Sequence, residues 1–292
     1  MEASPATSTL DTPAGDNPAS APNSENTALI PQTDRVGPWL QIRSAAGFEW
    51  NRYEIPIANL PAQLEGLRIL HLTDFHCRRY WDPAYDDLLA RIAANPPDII
   101  FFTGDFVDNR FDFRRALPVV QKWVARLKSR LGTFAILGNH DGDLMAPALA
   151  GLDVTLIDHR RLILHSGEAA IELIGVAGVD RLDLDLPFLK SLGDKPPGTV
   201  RIILSHFPDT LRKVQFLHPD LYLCGHTHGG QICLPTGLPI IRHDNLPRRF
   251  GRGIHRLFGT WLVVNRGLGF SSRAQLRLFC PAEVIEMKLV RS

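Results

Sequence analysis

The sequence predicts an α/β fold with a mixed or doubled sheet, and three observations carry that expectation. From about Trp39 onward, short apolar runs rich in β-branched and aromatic residues alternate with helical patterns. The first two such runs, LRILHL (67–72) and DIIFF (98–102), enclose DPAYDDLLARIAAN, a strand–helix–strand unit that favours a parallel pair. Later runs succeed one another with only short turns between them, as neighbouring strands do.

Taken in order, residues 1–34 contain no Lys, no Arg and no aromatic residue and are rich in Ala, Pro, Ser, Thr and Asn. Such a segment cannot bury enough apolar surface to offset its ordering entropy. Residues 1–38 are therefore expected to form a disordered low-complexity tail, and 39–292 a single folded domain. In the first helix Asp82 is the N-cap, Pro83 the first helical position, and Leu88, Leu89 and Ile92 share one face. A second helix is expected from about Phe113 to Arg130, with Pro118 near its start or kinking it. TFAIL (133–137), VRIILS (200–205) and DLYLC (220–224) read as buried strands, and PDTLRKVQFL after Phe207 as a third helix. DVTLIDH, RLILHS and AIELIGVAG between 153 and 179, then TWLVVN, LRLFC and EVIEMKLV, are further strands.

Composition bounds the function classes. With 292 residues, 45% of them hydrophobic and 22% charged, the chain has the profile of a soluble globular protein. A formal charge of +1 gives no general electrostatic reason to expect nucleic acid. The four cysteines show no Cys-x-x-Cys spacing, which argues against a structural zinc module and a disulfide framework. No basic start followed by an apolar core marks a secretory signal, and no apolar run reaches membrane-spanning length. The expected location is the cytoplasm, free or peripheral on a membrane.

The residues able to do chemistry stand directly after the buried strands. LRILHL leads to Asp74 and His76, DIIFF to Asp105 and Asp108, and TFAIL to Asn139, His140 and Asp141. VRIIL leads to His206, and DLYLC to CGHTHGG with His226 and His228. Five apolar strands thus deliver oxygen and imidazole ligands at their carboxyl ends, where α/β sheets place ligands. A ligand set of this kind without thiolate suits Mn, Fe, Zn or Mg.

Asp-x-His, Gly-Asp-x-x-Asp, Gly-Asn-His-Asp, a lone His and Gly-His-x-His, in that order, resemble the calcineurin-like metallophosphoesterase superfamily from about Gly66 to the C-terminus. The strings GHTHGGQ, VNRGLG and FCPAEV further resemble its bacterial membrane-associated branch, which includes hydrolases of UDP-2,3-diacylglucosamine. The resemblance implies a four-layer α/β/β/α sandwich of two mixed sheets and two divalent metal ions, with Mn favoured. It places Asp74, His76 and His228 on one ion, Asn139, His206 and His226 on the other, and Asp105 between both. A hydroxide shared by the ions would attack phosphorus, His140 would meet the leaving group, and Asp108 would partner His140.

Phosphoprotein phosphatases of the superfamily carry Arg directly after the second Asp of Gly-Asp-x-x-Asp; here Asn109 stands there, then Arg110. Candidate phosphate contacts are Arg78, Arg79 and Arg110. Residues 240–256, with Arg242, Arg248, Arg249, Arg252 and Arg256 against Asp244, read as an apolar and basic flap suited to a phosphorylated lipid or an anionic membrane surface. Arg248 and Arg249 are the flap's candidate substrate contacts. The expected function is hydrolysis of a phosphodiester or pyrophosphate bond in a lipid-linked or nucleotide-lipid substrate. The alternatives are a phosphomonoesterase and a non-catalytic binding module on the same scaffold.

Overall fold

The computed structural model describes residues 27–109, 113–176, 182–240, 244–271 and 274–292. The strands are β1 (Ala28–Leu29), β2 (Gln32–Thr33), β3 (Leu40–Ile42), β4 (Glu49–Ile57), β5 (Arg68–Leu72), β6 (Ile99–Thr103), β7 (Thr133–Ile136) and β8 (Thr155–Leu156). They continue with β9 (Arg161–Ser166), β10 (Ala169–Val176), β11 (Thr199–Ser205), β12 (Leu221–Cys224), β13 (Gly253–Leu257), β14 (Thr260–Val264), β15 (Leu276–Leu278) and β16 (Glu283–Arg291). Among the described residues, one sheet runs β2-β4-β16-β5-β6-β7-β8 and the second β1-β13-β14-β12-β11-β10-β9. Both are mixed. In the first, β5, β6 and β7 are parallel while β16 runs antiparallel to β5. In the second, β10, β11, β12 and β14 are parallel.

The two-residue period of each strand feeds two different apolar layers. Ile69, Ile99, Phe101, Ile202, Leu204, Leu221 and Leu223 meet between the sheets. The intervening Leu70, Ile100 and Phe102 pack outward against helices α1 (Pro83–Ala94) and α2 (Phe113–Val124). On the far side Ile203, Tyr222 and Cys224 pack outward with Leu182 and Leu189 of α4 (Leu182–Ser191) and Leu211 and Val214 of α5 (Leu211–Val214); the short α3 is Met145–Leu149. Helix, sheet, sheet, helix is the layering the family resemblance implies. Asp82 caps α1 as expected, accepting from Ala84 N.

Several local expectations need correction. The tail is shorter than residues 1–38: β1 pairs with β13 and β2 with β4, so the described segment from Ala28 to Thr33 belongs to both sheets. Edge strands leave backbone groups unpaired, and two residues of almost any composition can satisfy them. Residues 1–26 lie outside the described residues. Helix α2 stops at Val124 instead of Arg130, because Arg130 N and Leu131 N donate to the carbonyls of Pro97 and Asp98 on the approach to β6. The third helix is a single turn of α5 between two 3-10 turns. The C-terminal part of the supposed flap is strand β13, paired with β14, while Arg242 and His243 lie outside the described residues.

Strands β3 and β15 form a separate pair whose polarity is reversed. Gln41 and Arg277 sit opposite each other and point inward, 4% and 1% exposed. Leu40, Ile42, Leu276 and Leu278 occupy the outward positions, with Ile42 61% exposed. Inward polar groups are tolerated because they are bonded: Gln41 accepts from Ala282 N, and Arg277 donates to the carbonyls of Arg266, Gly267 and Gly269.

Candidate metal centre

The carboxyl ends of β5 and β6 in one sheet and of β11 and β12 in the other face a common point. Asp74, His76, Asp105, His206 and His228 gather there, each no more than 4% exposed. Asp74, His76, Asp105, His226 and His228 all have positive φ, between 45° and 68°. That left-handed conformation is unfavourable for side chains with a Cβ, and it concentrates where chain geometry serves a site. It turns each strand sharply at the residue that carries the ligand.

Close approach between loops explains the glycines of the motifs. A Cβ on Gly138 would lie 2.2 Å from Asp105 Oδ1, and one on Gly225 would lie 2.0 Å from Asp74 Oδ2. Asp141 ties the loops together: its carboxylate accepts from the backbone N–H groups of Asp105, Val107 and Gly138 at 2.8, 3.2 and 2.8 Å. That is the orienting role expected of an acid beside a metal site.

The donor atoms face one another at short range. His76 Nε2 lies 3.1 Å from His228 Nε2 and 3.4 Å from Asp105 Oδ2. His228 Nε2 lies 3.5 Å from Asp74 Oδ1, and His206 Nε2 3.2 Å from Asp105 Oδ2. His206 Nδ1 donates to the Thr103 carbonyl at 2.7 Å, which turns its Nε2 lone pair toward Asp105. His226 Nδ1 stands 3.3 Å from His206 Nε2. Three ligand groups, Asp74–His76–His228, His76–Asp105–His140 and Asp74–Asp105–His206, each place their donor atoms within 4.8 Å. Asn139 is exposed beside half-buried His140 at the mouth.

The facing carboxylates and imidazoles shift one another's titration. Burial pulls the His76 imidazole down, but Asp108, Asp74 and Asp105 outweigh it and hold it at about 10. Burial of His206 is likewise outweighed by Asp105, which holds the ring at about 9. Burial pushes the carboxyls of Asp74 and Asp105 up, yet the surrounding histidines keep both below the ordinary range. Burial pushes His228 well down. Asp141 is pushed up to about 7 by burial and by the charge of Asp105. Among the described residues, buried His76 Nδ1 and Asp108 Oδ1 have no hydrogen-bond partner. Facing imidazole nitrogens and carboxylates around one point are the donor set that divalent cations take.

The expected Asp108–His140 contact runs through a different atom. His140 Nδ1 donates to the Asp108 backbone carbonyl at 2.6 Å, while the Asp108 carboxylate pairs with Arg78 at 2.8 Å and lies 3.6 Å from His76 Nδ1. Asp108 thus serves two histidines. Arg78 and Arg79 line a cavity beside the centre with Arg43 and Arg115. Arg248 and Arg249 stand apart, exposed on a 3-10 turn, and Arg249 rests on the Phe250 ring. Arg110 lies outside the described residues.

Sequence reasoning missed Arg277, whose buried guanidinium lies 3.3 Å from His228 Nδ1 and donates to the His228 carbonyl. It also missed Asn265, which bonds the His71 carbonyl and Gly267 N and so braces the Asp74 loop against β14. The signal available was VNRGLG, a polar and glycine-rich break directly after an apolar strand. His71 is a buried core imidazole, with Nε2 2.8 Å from Thr103 Oγ1.

A family model described as calcineurin-like phosphoesterase matches residues 67–230. The chain belongs to the calcineurin-like phosphoesterases, and it is a metal-dependent phosphoesterase. The metallophosphoesterase YkuE of Bacillus subtilis is 31% identical over 81% of this chain and 83% of its own length. Phosphodiesterase YaeI of Escherichia coli is 28% identical over 76% of this chain and 82% of its own. UDP-2,3-diacylglucosamine pyrophosphatase LpxG of Chlamydia trachomatis is 27% identical over 79% and 86%. No helix of the described residues is long and apolar enough to cross a membrane.

Proposed function

We propose that this chain hydrolyses a phosphodiester or pyrophosphate bond with two divalent ions, Mn favoured, in a lipid-linked or nucleotide-lipid substrate such as UDP-2,3-diacylglucosamine. The observation that carries the reaction is the convergence of Asp74, His76, Asp105, His206 and His228 on one buried point. Asp74, His76 and His228 would hold one ion, Asn139, His206 and His226 the other, and Asp105 both. When bound, such a pair neutralises phosphoryl oxygens and activates water as the nucleophile.

The chain's own residues do the rest. His140 donates through Nδ1 to the Asp108 carbonyl, which leaves Nε2 to pass a proton to the departing oxygen. Water adds its oxygen to phosphorus and gives up a proton, the bond to the leaving group breaks with its electron pair on the departing oxygen, and the His140 proton completes the alcohol or phosphate released. Asp141 fixes the two loops on which Asp105 and His140 are placed.

The lipid-linked substrate is supported by the name of the Chlamydia relative and by the reversed strands β3 and β15. Their outward Leu40, Ile42, Leu276 and Leu278 end at Arg43 and Gln275, which line the cavity beside the centre. An apolar face bordered by a cation suits the acyl portion of a substrate in an anionic bilayer. Mn²⁺-loaded protein should hydrolyse bis(p-nitrophenyl) phosphate faster than p-nitrophenyl phosphate; a strong monoester preference overturns the diester reading. Wild-type protein should float with phosphatidylglycerol vesicles and Ile42→Asp should not; equal flotation removes the lipid argument.

A further inference from the structure

All four cysteines are buried and free, and two of them face each other. Cys77 is taken up by the Tyr85 hydroxyl and the Trp123 indole, and Cys224 donates to the Val263 carbonyl. Cys233 and Cys280 come from distant stretches of chain that backbone bonds place side by side: Leu278 N donates to the Gln231 carbonyl and Cys233 N to the Leu278 carbonyl, each at 2.9 Å. Phe279, with φ 49°, breaks the strand alternation between Leu278 and Cys280. Cys280 thereby meets Cys233, and the two thiols hydrogen-bond each other.

Both thiols also touch the turn that carries His228. Cys233 Sγ donates to the Gly229 carbonyl at 3.3 Å, while Cys280 Sγ lies 3.3 Å from the His228 carbonyl and 3.5 Å from that of Gly229. The turn has little slack: a Cβ on Gly229 would lie 2.9 Å from Cys280 Sγ and 2.7 Å from Arg266 Cγ. Pro235, Gly237, Phe279 and Pro281, which follow Cys233 and flank Cys280, line a cavity of about 580 Å³ with room for a small oxidant. Cys233 begins a short hairpin in which Leu234 N donates to the Leu238 carbonyl and both leucines are exposed. Local opening of so short a loop costs far less than unfolding the sheets, and it brings solvent to the sulfur.

We propose that Cys233 and Cys280 form a dithiol–disulfide site, oxidised by a small hydroperoxide, whose cross-linked form loosens the hold of His228 on a cation. One sulfur attacks the peroxide: an S–O bond forms, the O–O bond breaks, and the departing oxygen leaves as alcohol or water with that thiol's proton. The second sulfur attacks the resulting sulfenic acid. The S–S bond forms, the S–O bond breaks, and the hydroxide released takes the second thiol's proton as water. Two electrons pass from the sulfurs to the peroxide, and a small dithiol returns them by exchange. A disulfide holds its sulfurs at about 2.05 Å, far inside contact distance. Both sulfurs must therefore move together, and both S–H groups are withdrawn from the carbonyls of the turn. Cys280 Sγ is packed against Gly229, so the turn shifts with it and carries His228 along. The cross-link is independent of the hydrolase reading; only its effect on the cation rests on the ligand role given to His228.

The test uses the full chain, reduced and metal-free, so that it does not depend on turnover. Folded protein is treated with hydrogen peroxide, the remaining thiols are alkylated in denaturant, and peptides are mapped by mass spectrometry. Wild type should lose two of its four thiols to a single Cys233–Cys280 peptide pair, and dithiothreitol should restore them. Cys233→Ser and Cys280→Ser should form no internal cross-link, with circular dichroism verifying that they fold. Retention of all four thiols, a cross-link through Cys77 or Cys224, or oxidation that stops on one sulfur overturns the site. The link to His228 is read separately. Oxidised and reduced proteins, freed of peroxide and then loaded with Mn²⁺, are transferred to EDTA, and metal release is followed by elemental analysis. Oxidised wild type should release metal at least tenfold faster than reduced, and Cys233→Ser should release it at one rate before and after peroxide. Equal release from the two wild-type forms overturns the coupling. Wild type that takes up no Mn²⁺ in either form would sink the hydrolase reading and the coupling with it, while the thiol map still decides the cross-link.

Discussion

Gly225→Ala should disable the metal centre through one methyl group. The added Cβ would sit 2.0 Å from Asp74 Oδ2 and 2.2 Å from Thr73 Oγ1, where ordinary contact begins at 3.4 Å. One side or the other must therefore move by more than 1 Å. Asp74 is wholly buried, takes the Thr73 hydroxyl and the His226 backbone N–H, and lies 3.5 Å from His228 Nε2. Its displacement disturbs two histidines as well. Overpacking of this kind costs about 1–3 kcal/mol of stability. A misplacement of about 1 Å in a catalytic constellation costs on the order of 100-fold in rate. The assay is bis(p-nitrophenyl) phosphate hydrolysis with Mn²⁺, alongside elemental analysis of bound metal. Gly193→Ala is the control: its φ is +68° and no atom lies within 4 Å of the added Cβ, so it should cost about 1–2 kcal/mol of backbone strain and leave turnover intact. If Gly225→Ala holds full metal and retains more than a tenth of the activity, close approach of these loops does not position Asp74.

Asp105→Asn should abolish turnover while circular dichroism stays unchanged, since one carboxylate oxygen faces His76 and His206 and the other accepts from His140 N; residual rate above a hundredth of wild type would contradict its bridging place. His140→Ala should keep bound metal and lose roughly 10²–10⁴ in kcat, and a fully active variant would remove its role as acid. His71 supplies the pH prediction. Burial pushes its imidazole down to about 3, so folding favours the neutral ring, and its contribution is complete above the unfolded pKa near 6.5 and lost as pH falls below it. Between pH 7.5 and 5.5, wild type should lose about 1.4 kcal/mol more than His71→Gln in urea unfolding; parallel losses would refute the assignment.

The parts of the site legible in the sequence are those that a strand carries on its own. Asp74, Asp105, His206 and His228 could be placed because each comes after a buried apolar run whose direction determines which end faces the site. What could not be read depends on contacts between loops far apart in the chain. Asp108 illustrates this: the family resemblance implied a carboxylate–imidazole pair with His140, but the loop turns so that the carbonyl makes the bond. Arg277 looks like an ordinary strand arginine until β15 pairs with β3 and directs it inward under His228. The helical end at Val124 and the short strands β1 and β2 were likewise decided by backbone partners elsewhere, not by local propensity.

The position of β16 constrains when the site can assemble during synthesis. It lies between β4 and β5, antiparallel to the strand whose end carries Asp74 and His76. A nascent chain extended through His228 already contains each proposed ligand, yet β5 still lacks a neighbour built from residues 283–291. Both neighbours of β5 are therefore in place only once residues 283–291 have joined the sheet.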